Sequence, residues 1–218
     1  MKTPREIYTA YKIMPNLQLH QLRVAAVAKL ICENFTKPID TNDVVCACLF
    51  HDMGNILKFE LAMFPEFTAP EGVEYWEAVK AEYRAKYGND EHAATQAIMK
   101  ELGLPDSVKS LMQRIGFSQV DRVAASDSFE RKIVQYGDLR VGPRGVLSLR
   151  ERLDEGRKRY IGTGHSIGGT GGDRYRVLLS AALEVEKQIF ASATIQPEDI
   201  NDTAVAPLIE ELWEYPVA

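Results

Sequence analysis

Apolar residues recur along almost the whole chain at spacings of three and four, and no stretch alternates apolar with polar side chains as a half-buried strand does. That periodicity confines the chain to an all-α architecture, because a helical pattern cannot present one continuous face from an extended strand. The spacing predicts helices near 3–13, 17–34, 41–52, 72–87, 90–102, 105–115, 118–127, 129–140, 145–158, 173–192 and 199–213. Breakers and caps agree with it. Thr41, Asn42 and Asp43 precede the apolar run Val44 to Phe50, and Pro105 with Asp106 suits a first helical turn after Gly103. Pro197 likewise suits a helix start after the loop that follows residue 192. Two stretches depart from the pattern. Residues 60–72 hold Pro65, Pro70 and Gly72, and residues 161–172, IGTGHSIGGTGG, are too rich in glycine for a stable helix. Both read as loops. The second lacks the Gly-Lys-Ser/Thr ending of a phosphate loop and reads as a surface loop or lid, with His165 given no role by spacing.

With 218 residues, 45% hydrophobic and 26% charged, the chain is long enough for one domain with a substantial core. A formal net charge of −5 disfavours a binder of long nucleic acid, which needs clustered Lys and Arg to neutralise phosphates; a small nucleotide needs only a few local cations. No apolar run approaches the roughly 20 residues that span a bilayer, and the first residues lack a signal-peptide core, so no membrane partner and a cytoplasmic location are expected. Cys32, Cys46 and Cys48 lie in apolar helical surroundings and read as small core residues.

Against this ordinary background, a few polar residues fall on apolar faces. His20 shares a stripe with Leu17, Val24, Val27 and Ile31, so its imidazole points inward. In CLFHDMGN, His51 continues the face of Val44 and Cys48, and Asp52 lies one position round. Asp138 follows Ile133 and Val134, one turn after the latter, with Gly137 and Gly142 flanking it. Taken singly, a satisfied core histidine or a helix-end aspartate explains each. Together they supply two imidazoles and two carboxylates, a set that suits Mn, Fe, Co, Ni or Zn and, less readily, Mg.

The spacing of these residues resembles the HD-domain superfamily of metal-dependent phosphohydrolases: a histidine on an early helix, a His-Asp doublet on a later one and a distant aspartate, here His20, His51-Asp52 and Asp138. The segments MPNLQLHQLRVAAVA, ACLFHDMGN and IVQYGDLRVGPRGVLSLRERL are similar to those around the same positions in HD proteins, and the resemblance spans about residues 7–155. It implies a helical bundle with a metal site in a central cleft; the apolar residues spaced along 173–192 and 199–213 let residues 173–213 pack on it as helical cover, so one domain over 1–218 is expected. His92 stands where many HD proteins place an additional histidine. Dinuclear members usually supply a further one before the last aspartate, and residues 93–137 contain none, so one divalent ion is expected. Asn55 stands where the HD-GYP branch and inositol-oxygenase relatives carry lysine, with Lys58 nearby as a substitute cation.

The resemblance implies hydrolysis of a phosphoester of a small metabolite, most plausibly a nucleotide, by a metal-activated water. Asp52, His92 and Arg140 are the candidate catalytic residues; His20, His51, Asp52 and Asp138 are the candidate ligands; Arg23, Asn55, Lys58 and Arg144 are candidates for substrate contact. The expected partner is a small phosphorylated substrate, with room left for a homo-oligomer. Two alternatives stand beside this reading, a catalytically silent HD-domain sensor or interaction module and a diiron HD-type oxygenase.

Overall fold

A computed structural model describes residues 2–113, 115–160 and 172–217. Eleven α-helices lie among them: α1 Pro4–Ala10, α2 Pro15–Glu33, α3 Thr41–Phe50, α4 Val73–Tyr87, α5 Glu91–Glu101, α6 Asp106–Leu111, α7 Val120–Ala124, α8 Phe129–Arg140, α9 Leu149–Tyr160, α10 Gly172–Phe190 and α11 Asp202–Leu212. Each falls within a few residues of a helix expected from the periodicity, and no sheet forms among the described residues; pairing there is limited to isolated bridges such as Val141 with Val146. The glycine-rich stretch, with its expected lid and His165, lies outside the described residues apart from Gly172.

The centre of the fold is α2, α3 and α8, which pack on one another. Val44 to Phe50 are buried all round α3, as a helix apolar on every face must be. Asp40, not Thr41, caps this helix: its carboxylate accepts from the Asp43 amide at 2.9 Å. Ser128 caps α8 through the Arg131 amide at 3.1 Å. Gly137 lets α8 close on α2, since a Cβ there would lie 3.1 Å from the Val24 carbonyl. Helix α11 covers α2, while α10 lies on α7 and α8; the buried side chains run as one cluster from Ile7 to Val217. The three cysteines are buried and free, and burial pushes the Cys32 and Cys46 thiols up to about 12. No helix among the described residues is long and apolar enough to cross a membrane.

Two local expectations change. Residues 60–72 are not an open loop: short 3-10 turns at Leu61–Met63 and Pro65–Thr68 follow another at Asn55–Lys58. Prolines excluded a long helix there but not tight turns, which satisfy backbone groups over three residues at a time. The helix expected from residue 145 begins at Leu149, because residues 141–146 make a short hairpin whose Gly142 amide donates to the Gly145 carbonyl at 2.8 Å.

Candidate metal centre

Each central helix brings polar side chains to one point. His20 comes from the second turn of α2, His51 and Asp52 from the C-terminal end of α3, and Asp138 from the last turn of α8. His20 Nε2 lies 3.6 Å from Asp52 Oδ2 and 3.4 Å from Asp138 Oδ1; His51 Nε2 lies 3.5 and 3.6 Å from the same two oxygens. His20, His51 and Asp52 each bring a ligand atom within 4.8 Å of the others, and Asp138 Oδ1 faces both rings from the third helix. Ligands of a single ion bonded at roughly 2.1 Å sit roughly 3.0–3.4 Å apart, close to these spacings.

The His51 ring tests whether the set suits a cation. Its Nδ1–H donates to the Cys48 carbonyl at 2.8 Å, which leaves the Nε2 lone pair of the neutral ring pointing into the cluster. Nε2 is buried and has no hydrogen-bond partner. A buried, orphaned imidazole nitrogen facing two carboxylates is what a metal ligand looks like without its ion. Without an ion, the cluster holds protons instead. Burial opposes the charged form of His51, but Asp52 and then Asp138 outweigh it and raise the imidazolium to about 9. Burial likewise pushes the Asp138 carboxyl up, but His20 and His51 prevail and hold it well below the usual carboxylate range.

The peptide around the doublet is fixed from several sides. Tyr8 donates its hydroxyl to the Leu49 carbonyl at 2.6 Å, the Asp52 amide donates to Gln21 Oε1 at 3.2 Å, and the Gly54 amide donates to Thr95 Oγ1 at 3.0 Å. Gln21 escaped the sequence reading, although its place four residues after Leu17 and three before Val24 marks the same inward face. Replacing it with leucine keeps the volume and removes the acceptor. Gln21→Leu is expected to weaken divalent-ion affinity by roughly tenfold or more, measured against a competing chelator; unchanged affinity would exclude a positioning role.

The cluster opens into a cleft of about 1600 Å³. His20, His51, Asp52, Asn55, Lys58, His92, Asp138 and Arg144 all line it. His92 stands on its rim at the start of α5, its side chain 78% exposed and 3.8 Å from Glu91. Arg144 sits at the exposed tip of the 142–145 turn. Two arginines require correction. Arg140 is buried outside the cleft wall: its Nε donates to the Leu147 carbonyl, and its terminal nitrogens donate to the Tyr136 hydroxyl, the Pro197 carbonyl at 3.2 Å and the Ile200 carbonyl at 2.8 Å. With its donors so engaged, it fastens the 197–200 segment to α8 and cannot reach substrate. Arg23 also lies off the cleft wall, its Nε 4.0 Å from Asp202. Arg122 and Arg152, which the sequence reading passed over, line the cleft instead.

Residues 18–112 match the family model of the HD domain. The match includes His20, the His51-Asp52 doublet and His92 but ends before Asp138, whose approach to the two imidazoles is seen in the geometry. No curated protein and no solved structure matched the chain.

Proposed function

From the match of residues 18–112 to the HD-domain family model and the cluster of imidazoles and carboxylates above, we propose that this chain is a metal-dependent phosphohydrolase acting on a phosphoester of a small metabolite. His20, His51, Asp52 and Asp138 are the proposed ligands of one divalent ion, and the observation that carries the reading is the orphaned His51 Nε2 facing both carboxylates. Such an ion supplies Lewis acidity to a phosphoryl oxygen and lowers the pKa of a water molecule.

The chain's own residues do the rest. Asp52 turns Oδ2 toward both imidazoles, leaving Oδ1 to orient the attacking water and accept its proton. Lys58 and Arg144, cations on the cleft wall, offset charge on the phosphoryl group as its bond to the leaving oxygen breaks. His92 on the rim is placed to return a proton to that oxygen. The buried floor limits water, while the open side admits the ester.

The test is phosphate release from a panel of nucleotides, sugar phosphates and other phosphomonoesters, with the chain loaded in turn with Mn, Co, Ni, Fe, Zn and Mg. Release is expected with at least one metal, and Asp52→Ala should lower it by at least roughly 100-fold. Silence across every combination favours a ligand sensor. Two irons per chain together with oxygen consumption would favour the diiron oxygenase, although residues 93–137 hold no further histidine for a second iron.

A further inference from the structure

The cleft changes character along one short segment. Residues 51–58 carry the doublet, Asn55 and the cation Lys58; residues 59–67 contribute Phe59, Leu61, Met63, Phe64 and Phe67 to the same wall, together with Glu60 and Glu66. Leu61, Phe64 and Phe67 recur every three residues, the spacing at which side chains eclipse in 3-10 turns, and two such turns are formed here. The result is an apolar stripe, with the Phe64 and Phe67 ring centroids 5.7 Å apart. Leu61 is buried at its base and Phe67 half-buried, whereas Phe64 is 38% exposed and the neighbouring Met63 60%, two of the four large apolar side chains left open among the described residues.

Such exposure on a cleft wall is a mark of ligand contact. The charge order narrows the occupant. An anionic head beside the metal ligands, Lys58 and Arg144 would leave the rest of the molecule along Phe59, Leu61, Met63, Phe64 and Phe67, with the carboxylates of Glu60 and Glu66 at either end of the segment and no further cation within it. Sugar hydroxyls laid on the apolar side chains themselves would lose water without gaining partners, whereas a hydrocarbon would gain by burial. Resting on the phosphohydrolase reading, we infer that the substrate is an amphiphilic phosphoester whose hydrocarbon portion lies along Leu61, Met63, Phe64 and Phe67. This departs from the nucleotide expected from the resemblance.

The test uses n-alkylphosphonates from ethyl to octyl, which carry the head group but cannot be hydrolysed at an ester bond, titrated calorimetrically into the Mn-loaded chain. Affinity is expected to rise about fourfold per methylene, the ratio that corresponds to about 0.8 kcal/mol for each one buried, until the stripe is covered. Met63→Ser/Phe64→Ser, at exposed positions where folding tolerates the change, should reduce the increment to less than twofold. A flat series with ethylphosphonate bound overturns this inference alone. So does a nucleoside monophosphate that binds more tightly than octylphosphonate and loses that advantage in the double variant. A rising series that Asp138→Ala leaves unchanged removes the phosphohydrolase reading while the apolar wall stands; no binding by any phosphonate overturns both.

Discussion

Divalent-ion affinity is expected to rise by about two orders of magnitude or more between pH 6.5 and pH 9. His51 holds a proton up to about 9, against an ordinary value of 6.5, and its Nε2 cannot accept an ion until that proton leaves. Each pH unit across this window therefore brings roughly tenfold in apparent affinity for one proton displaced, and the dependence flattens above 9. The stability of the metal-free chain runs the other way. A folded pKa raised above the unfolded one stabilises fully below 6.5, and that contribution fades as pH rises through about 9. The depressed Asp138 carboxyl adds a contribution present above its ordinary value of 3.8 and lost as pH falls through its lower folded value. Over the upper window the His51 contribution is about 3 kcal/mol, which in a chain of this size corresponds to a fall of roughly 10 °C in Tm. Saturating metal should suppress that fall. Chelator competition and thermal melts at pH 6.5, 7.5 and 9 check both slopes, and His51→Gln should abolish each. Affinity independent of pH would mean that the imidazole Nε2 does not face the ion.

Gly54→Ala should destabilise the chain by about 3 kcal/mol or more, the upper part of the range for overpacking a core, and lower Tm by roughly 6–12 °C. A Cβ at this position would lie 2.3 Å from the Glu91 carbonyl, 2.9 Å from Ala94 Cβ and 3.0 Å from the Thr95 amide nitrogen. Two of these atoms are backbone, so no rotamer change relieves the clash and the start of α5 must move away. The Gly54 amide would then lose Thr95 Oγ1, loosening the peptide two residues after Asp52. The variant should consequently bind metal more weakly even where it remains folded. Ala substitution at Gly72, where φ is +86° and no atom lies within 4 Å of the added Cβ, provides a contrast: any loss there reports backbone conformation instead of packing. Equal melting temperatures for Gly54→Ala and the unsubstituted chain would rule out the close approach of α5.

The legible part of the fold was the part written locally. Leu17, Val24, Val27 and Ile31 are all buried on α2, and their spacing alone put His20 on that face. The run from Val44 to Phe50 announced a helix with no solvent side, so His51 at its end had to turn either to a partner or to a cleft. The proximity of Asp138 had no local signature: it follows from Gly137 allowing α8 onto α2 and was suggested beforehand only by the family resemblance. Arg140 shows the opposite failure. Two residues past Asp138, it looked available for substrate, yet carbonyls at Pro197 and Ile200, nearly sixty residues on, take up its donors.

By itself, then, the sequence determined the helices, their inward faces and the residue types that gather there, because periodicity, caps and breakers act over a few residues. Tertiary structure alone decided which inward groups meet, which cations face the cleft, and that the apolar side chains of residues 59–67 line the same cleft as the His-Asp cluster. Those outcomes depend on how closely helices approach and on which distant carbonyl satisfies which donor, and neither is encoded in the spacing along any one helix.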